Sequence, residues 1–376
     1  MRTLTITDAR TALVGGAVMG CGGGGEIAEG IELVERYARE GLELRLAEVD
    51  ELPQSAMVVC PYGVGSLDPD LDDPSCRGLT VAAEYPALTA VKDLQRHMGI
   101  AFDAVISGEL GGWALADAFY VAAALGVPLL DADPAGRAVP EVQHSLLYVG
   151  GISITPQVIT NEFGESVVVQ RVANDFRDEA LVRAFSTISR GTAWVADHPA
   201  PLADVRRASI PGAISTAEKV GRAFLDSQAP GAAAAAVAEA GGGCVLFSGT
   251  IGSSSYEDRG GFTFGEFTVT GDDRRQGSEL RIWYKNENLI SWLDGQVFVT
   301  TPDLLCVLDE DRHEPLTNPH AEVGKRVAIV GLPAPAQWRT QAGLDVFGPR
   351  SFGFEIDYRP LEDVTGAGGG AERSPS

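Results

Sequence analysis

Two aspartates two residues apart, Asp131 and Asp133, follow the apolar run Val127–Leu130 and open the segment Asp131-Ala132-Asp133-Pro134-Ala135-Gly136-Arg137-Ala138-Val139-Pro140-Glu141. Carboxylates at such a strand end can activate a water, hold a hard cation or bind ring N–H groups. A plain turn is the competing reading, since Asp-rich turns cap helices and Arg137 can neutralise them. Glu109, followed by Gly111 and Gly112, is the second candidate carboxylate, placed in a tight turn either near a ligand or for structure alone. Glu26, at the first turn of a helix, is the third, where it can also simply complement the helix dipole.

The run Met19-Gly20-Cys21-Gly22-Gly23-Gly24-Gly25-Glu26 lets a ligand or another backbone approach the main chain closely. Gly20, Gly22 and Gly25 have the spacing of a dinucleotide fingerprint, but that motif needs a strand before it. Thr7 and Asp8 can instead cap a helix whose apolar positions continue to Ala17, so the loop is expected to join two helices. Loop amides at the start of the helix from Glu26 onward could bind an anion or polar ligand. A nucleotide site is the weaker alternative, since no Walker-type Gly-Lys-Ser/Thr is present.

Other nucleophile and ligand patterns are sparse. Cys21 sits in the glycine loop, where helix-terminal amides lower thiol pKa values, but no histidine is near it in sequence. His144 follows the acidic segment and is a candidate base. His97, His198, His313 and His320 lack zinc-like spacing and there is no HExxH, so a His/Cys zinc site is not expected. A carboxylate-rich site for a divalent metal stays open, while the preferred expectation is a chemistry without cofactor. Lys285-Asn286-Glu287-Asn288, between two strand-like runs, either faces a crevice or forms a hairpin turn. Pro349 to Phe354 either lines a pocket or ends a strand.

The elements that must position these residues alternate. Helices are expected at Ile27–Arg39, Glu84–Met98 and Trp113–Leu125, and strands at Leu42–Val49, Met57–Cys60, Ala104–Ser107 and Val127–Leu130. That order predicts a layered α/β domain with a mostly parallel sheet, over residues 1–170. Ligands bind such sheets at the carboxyl ends of the strands, which is where Glu109, Asp131 and Asp133 fall. Helical patterns at Asp178–Arg190, Ile214–Asp226 and Ala232–Ala240 form a segment, 171–242, expected to pack on it. Short alternating runs from Cys244 to Ile356 predict a β-barrel-like domain over 243–363, and the Gly/Ala/Ser/Pro-rich tail 364–376 is expected to be disordered.

The chain has 376 residues, which favours two domains over one, and 45% apolar residues suffice for sizeable cores. Its formal charge of −23 repels phosphate backbones and anionic headgroups, so neither nucleic acid nor a membrane surface is an expected partner. Five widely spaced cysteines without a CxxC pair read as reduced thiols of a cytoplasmic protein. Ala12–Cys21 has a lipoprotein-like ending, but it is too short and glycine-rich for an export signal.

Several separated motifs resemble the S-methyl thiohydantoin desulfurase family. They are Cys21-Gly22-Gly23-Gly24-Gly25, Glu109-Leu110-Gly111-Gly112, Asp131-Ala132-Asp133 with Gly136-Arg137-Ala138 and Pro140-Glu141-Val142-Gln143, Asn286-Glu287-Asn288-Leu289, Pro302–Asp309, Gly331-Leu332-Pro333-Ala334 and Gly348-Pro349-Arg350. The resemblance runs from about Thr5 to Pro360. It implies a three-layer α/β domain followed by a domain containing a β-barrel, and hydrolytic removal of methanethiol from an S-methylated thiohydantoin. Two positions depart from the family pattern: Trp113-Ala114 replaces a common asparagine after the paired glycines, and Pro134-Ala135 replaces Gly-Met.

The resulting expectation is a hydrolase acting on a small cyclic amide or thioimidate, with Asp131, Asp133 or Glu109 as catalytic acid and base. Gly22, Gly23, Gly24, Gly25, Glu26, Gly111, Gly112, Trp113, Arg137, Glu141 and Asn286 are the expected substrate-binding residues. The alternative is a non-catalytic accessory or ligand-binding subunit of a hydantoinase- or oxoprolinase-like system. A homo-oligomer and a hydantoinase- or oxoprolinase-like partner stay open.

Overall fold

The computed structural model describes residues 1–65, 74–227, 229, 231–272 and 275–366. Helix Ile6–Met19 opens the fold with a capping box in which Thr5, not Thr7, is the cap and Asp8 answers it from the third position. The glycine loop then leads directly into helix Ile27–Arg39, so it joins two helices.

The N-terminal sheet contains β1 (Arg2–Leu4), β2 (Leu44–Ala47), β3 (Met57–Gly65), β4 (Ala104–Val105) and β5 (Leu129–Leu130). A short β6 (Ala132–Asp133) follows, then β7 (Gln157–Thr160), β8 (Ser166–Val169), β9 (Thr192–Pro201) and β10 (Ile210–Pro211). The order across the large sheet is β1-β2-β5-β4-β3-β9-β7-β8, while β6 and β10 form their own pair. The central strands β2, β5, β4 and β3 are parallel, and β1, β9, β7 and β8 add antiparallel flanks. β1, β7, β8 and β9 are strands that the sequence reading missed. Thr192–Pro201 mixes polar and apolar residues without clean alternation because one end enters a site.

The second large sheet holds β11 (Cys244–Arg259), β12 (Phe262–Gly271), β13 (Glu279–Lys285), β14 (Glu287–Leu293), β15 (Gln296–Thr300), β16 (Leu304–Asp309), β17 (Glu314–Pro315) and β18 (Arg326–Leu332). It is antiparallel, in the order β15-β14-β13-β12-β11-β18-β16-β17. It curls until Asn288 Nδ2 on β14 donates to Leu305 O on β16, 3.1 Å away. No ladder joins β15 to β17 among the described residues, so its hydrogen bonds define a curled sheet rather than a closed barrel. Phe352–Ile356, read as a strand, is a short 3-10 turn and irregular chain held by the Gly348–Arg350 backbone.

Helices Ala213–Asp226 and Ile6–Met19 pack through glycine, since a Cβ at Gly15 or Gly221 would overlap the backbone of the facing helix. One apolar core runs from the N-terminal helices through Phe119 and Val237 to Cys306 and Val330, so the two sheets share it. Val364, Thr365 and Gly366, placed in the tail by sequence, lie in the helix Leu361–Gly366; residues 367–376 fall outside the described residues.

Candidate active site

A cavity of about 750 Å³ lies between β3 and β9, the glycine loop, and the β12–β14 region with Thr317 and Asn318. Junctions between packed units are common places for small-molecule sites, and this volume suits a ring with substituents.

The glycine loop forms one wall. Cys21, Gly22, Gly24 and Gly25 all have positive φ in the left-handed region, which explains glycine at three of these four positions. The Gly24 carbonyl accepts from the Trp113 and Ala114 amides at 3.0 and 3.1 Å, capping helix Ala114–Leu125. Asn288 N donates to Cys21 O at 2.7 Å and Asn318 N to Gly22 O at 2.8 Å, so the loop is strapped to the second sheet. A Cβ on Gly23 would overlap the Glu287 carboxylate. Gly22 to Gly25 and Glu26 line the cavity, with Glu26 at its exposed mouth accepting from Thr317 Oγ1 at 3.1 Å. Gly111 and Gly112 do not line it; they are buried, with Gly111 packed backbone to backbone on Gly24 and Gly112 against Ile27.

The three candidate acids separate. Glu109 lines the cavity, and its Oε2 accepts from Val139 N at 2.8 Å. Burial, reinforced by the nearby Asp133, pushes its pKa up to about 8 against the pull of the Val139 amide and Arg137. Asp133 lies just behind the wall formed by Pro134; its Oδ1 accepts from Ala135 N at 2.7 Å and from Gly136 N, and its Oδ2 has no partner among the described residues. Burial raises it to about 7. Asp131 faces elsewhere. Its oxygens accept from Ser215 N at 3.0 Å and Ser215 Oγ at 2.6 Å, capping the first turn of helix Ala213–Asp226. The proposed acid–base role for Asp131 is therefore corrected to a cap.

Arg137 is also not at the surface of the site. It is fully buried, and its Nη1, Nη2 and Nε donate to the carbonyls of Asp303, Asn288 and Ala138 at 3.1, 2.8 and 3.1 Å. It cannot polarise a substrate oxygen directly, but its charge acts through the interior on Glu109, Glu287 and Cys21. Glu141 lines the cavity with Lys285 as its ion-pair partner, and Gln143 Nε2 donates to its Oε2 at 2.7 Å. Asn286 lines the cavity with a left-handed backbone at the turn between β13 and β14, its Oδ1 accepting from Thr263 N at 2.9 Å. His144 lies between Phe347 and Phe352, and burial pushes it down to about 3, which keeps it neutral.

Trp113 meets Trp194 edge to face at 6.1 Å, and Trp194 meets Tyr85 at 5.9 Å, giving the cavity an aromatic wall. Trp194 Nε1 donates to Tyr85 OH at 3.2 Å, and Tyr85 OH donates to the buried Asp117. Gly63 leaves room for the Trp113 ring.

Two sets of residues escaped the sequence reading. Glu287 is 3% exposed, lines the cavity against Gly23, and is pushed well up by burial and by Glu109. Tyr62, Asp197 and His198, on β3 and β9, form a hydrogen-bonded chain at another part of the wall. A signal existed for Glu287, which stands inside the polar run Lys285–Asn288. None existed for Asp197-His198, whose partners lie on β3 and on helix Asp175–Ile188. Among the described residues, no three or more His, Cys, Asp or Glu side chains are arranged to hold a metal ion.

Fold and site define a two-domain α/β protein with an acid-lined cavity where the domains meet. Residues 7–171 match the S-Me-THD-like, N-terminal domain and residues 173–361 the S-Me-THD-like, C-terminal domain, so the chain belongs to the S-Me-THD-like family. A crystal structure of a protein from Chromobacterium violaceum is similar, with a TM-score of 0.77 and 21% identity over 96% of this chain and 100% of that one. At that identity the likeness carries the fold alone. No curated protein matches this chain. The five cysteines are free thiols, and among the described residues no helix is long and apolar enough to cross a membrane.

Proposed function

We propose that this chain hydrolyses an S-methylated thiohydantoin or a closely related cyclic thioimidate, releasing a thiol. Family membership supports the substrate class, and Glu109 is the observation that carries the chemistry: a desolvated carboxyl on the cavity wall, beside a glycine turn at a strand end. Water must attack C2, the ring nitrogen must take a proton, and the C2–S bond must break. Glu109 in its ionised form accepts the first proton from water and passes it to the ring nitrogen, while burial and the nearby Asp133 keep its pKa high enough for that exchange. The aromatic wall of Trp113, Trp194 and Tyr85 accommodates the flat ring. We propose a route without metal, since proton transfer by carboxylates suffices for this leaving group.

The test is free-thiol release from the S-methylated ring by wild type and Glu109→Gln. Wild type is expected to turn over, with kcat/KM rising as pH increases up to about 8, where Glu109 becomes ionised. Glu109→Gln is expected to lose about 10²–10⁴-fold. Undiminished turnover in Glu109→Gln removes the assignment. Near-stoichiometric metal, with activity lost on chelation and restored on readdition, overturns the metal-free route.

A further inference from the structure

The cavity has a second proton-handling group that the base at Glu109 does not use. β3 and β9 slip by one residue within their ladder: Val58 lies opposite Ala200, but Cys60 lies opposite Asp197. The extra residue falls at His198-Pro199, and His198 takes a left-handed backbone with positive φ, which is uncommon for a residue other than glycine. Bulges of this kind re-aim side chains beside active sites, and strained residues concentrate there.

The side chains are correspondingly fixed. Asp197 Oδ1 lies 2.8 Å from His198 Nδ1, and Asp197 Oδ2 accepts from Tyr62 OH at 2.7 Å, so one oxygen of the carboxylate holds the imidazole and the other is itself held by Tyr62. The pairing sets the proton on Nδ1 and leaves Nε2 as the working nitrogen. His198 is 3% exposed, forms part of the cavity wall, and its Nε2 has no hydrogen-bond partner among the described residues. The charged and titratable groups facing it are Asp197 of β9, Tyr62 and Cys60 of β3, and Asp175 and Asp178 of helix Asp175–Ile188. Asp175 Oδ2 is 3.8 Å from Nε2. Burial alone would discharge the imidazole, but the three aspartates outweigh it and raise its pKa. Cys60 lines the same cavity and lies within electrostatic reach of both Asp197 and Glu109.

We propose that His198 is the acid that protonates the departing sulfur, with Asp197 and Tyr62 as its positioning residues. This rests on the hydrolytic reading above. A simple alkyl thiol is a weaker acid than the cysteine thiol, whose ordinary pKa is about 8.5, so a thiolate leaving at neutral pH gains from a proton delivered as the bond breaks. In the balanced step, water oxygen bonds to C2 and its first proton travels through Glu109 to the ring nitrogen. The C2–S bond breaks with its electron pair on sulfur, and the Nε2 proton of His198 moves to that sulfur. The second water proton leaves the C2 hydroxyl as C2=O forms and restores His198. Nothing is oxidised or reduced.

The experiment compares two leaving groups on the same ring, S-methyl and the more acidic S-(4-nitrophenyl), with wild type, His198→Gln, Asp197→Asn and Glu109→Gln. His198→Gln is expected to lose about 10²–10⁴-fold in kcat on the S-methyl ring but less than about tenfold on the aryl thioether, which needs no acid. Glu109→Gln is expected to lose equally on both. If His198→Gln does not fold, as judged by circular dichroism, Asp197→Asn carries the test. Removing that aspartate lowers the His198 pKa and moves the alkaline limb of kcat to lower pH, on the S-methyl ring only. Equal losses on both rings in His198→Gln, or an unmoved alkaline limb in Asp197→Asn, overturn the acid role. Absence of thiol release from both rings by wild type instead removes the hydrolytic reading, and the acid role falls with it.

Discussion

At the scale of single residues, burial rather than charge count separates chemistry from scaffolding. Asp131 and Asp133 are neighbours in sequence with the same functional group, yet one is satisfied by Ser215 and the other keeps an unpartnered oxygen beside the cavity. Asp131→Ala removes a helix cap, which typically costs about 1 kcal/mol. The expected outcome is a lower urea midpoint with thiol release per folded molecule unchanged; a loss of kcat of a hundredfold or more would return Asp131 to the chemistry. The capping partner sits 84 positions away, so nothing local in the sequence distinguishes the two aspartates. Glu109 is easier to read because the strand end before it and the glycines after it are both local. Asp197-His198 is not legible, since its meaning comes from a bulge against β3 and from carboxylates on a separate helix.

At the scale of elements, the glycines act through the distance they permit between backbones. A Cβ built on Gly111 would lie 2.5 Å from the Gly24 Cα, so the two glycine turns pack without side chains between them and bring Glu109 near the loop. Gly111 has an ordinary φ, and its requirement is therefore steric. Gly111→Ala is expected to push these turns apart and destabilise the protein by about 1–3 kcal/mol, as overpacking in cores does. Chemical denaturation checks it, and an unchanged midpoint would mean that the turns separate freely. The helix–strand alternation of the first half is largely visible from periodicity and glycine stops. The antiparallel flank β7-β8-β9 is not, because β9 carries Trp194, Asp197 and His198 into a site and so lacks the alternation of a half-buried strand. In the second half the run from Cys244 to Leu332 reads correctly as strands, but local patterning does not reveal whether a curled sheet closes.

At the scale of the whole molecule, the interior on and around the cavity wall holds acids that favour the folded state when protonated. Burial leads each of these shifts: Glu109 is raised to about 8, Asp117, Asp133 and Asp178 to about 7, and Asp175 to about 6, against about 4 in an unfolded chain. Each group binds its proton more tightly in the native state, so its contribution is fully present below the unfolded pKa and is lost as pH rises through the folded one. His198, also raised, adds to the loss on the alkaline side of its ordinary range. His144 works in the opposite sense, favouring the native state as pH rises from about 3 towards its ordinary value, and offsets only part of the effect of five acids. Surface carboxylates held low by arginine or lysine, such as Glu40 and Glu84, matter only below about pH 4.5. The formal charge of −23 adds repulsion in the same direction as the buried acids. Thermal unfolding followed at constant ionic strength is therefore expected to give a higher Tm near pH 5.5 than near pH 8, with a smaller difference in Glu109→Gln, whose side chain cannot ionise. A Tm that is flat or rises over that interval would mean that these carboxyls are ionised in the folded protein, and would remove the proton-sharing cavity on which the acid and base assignments depend.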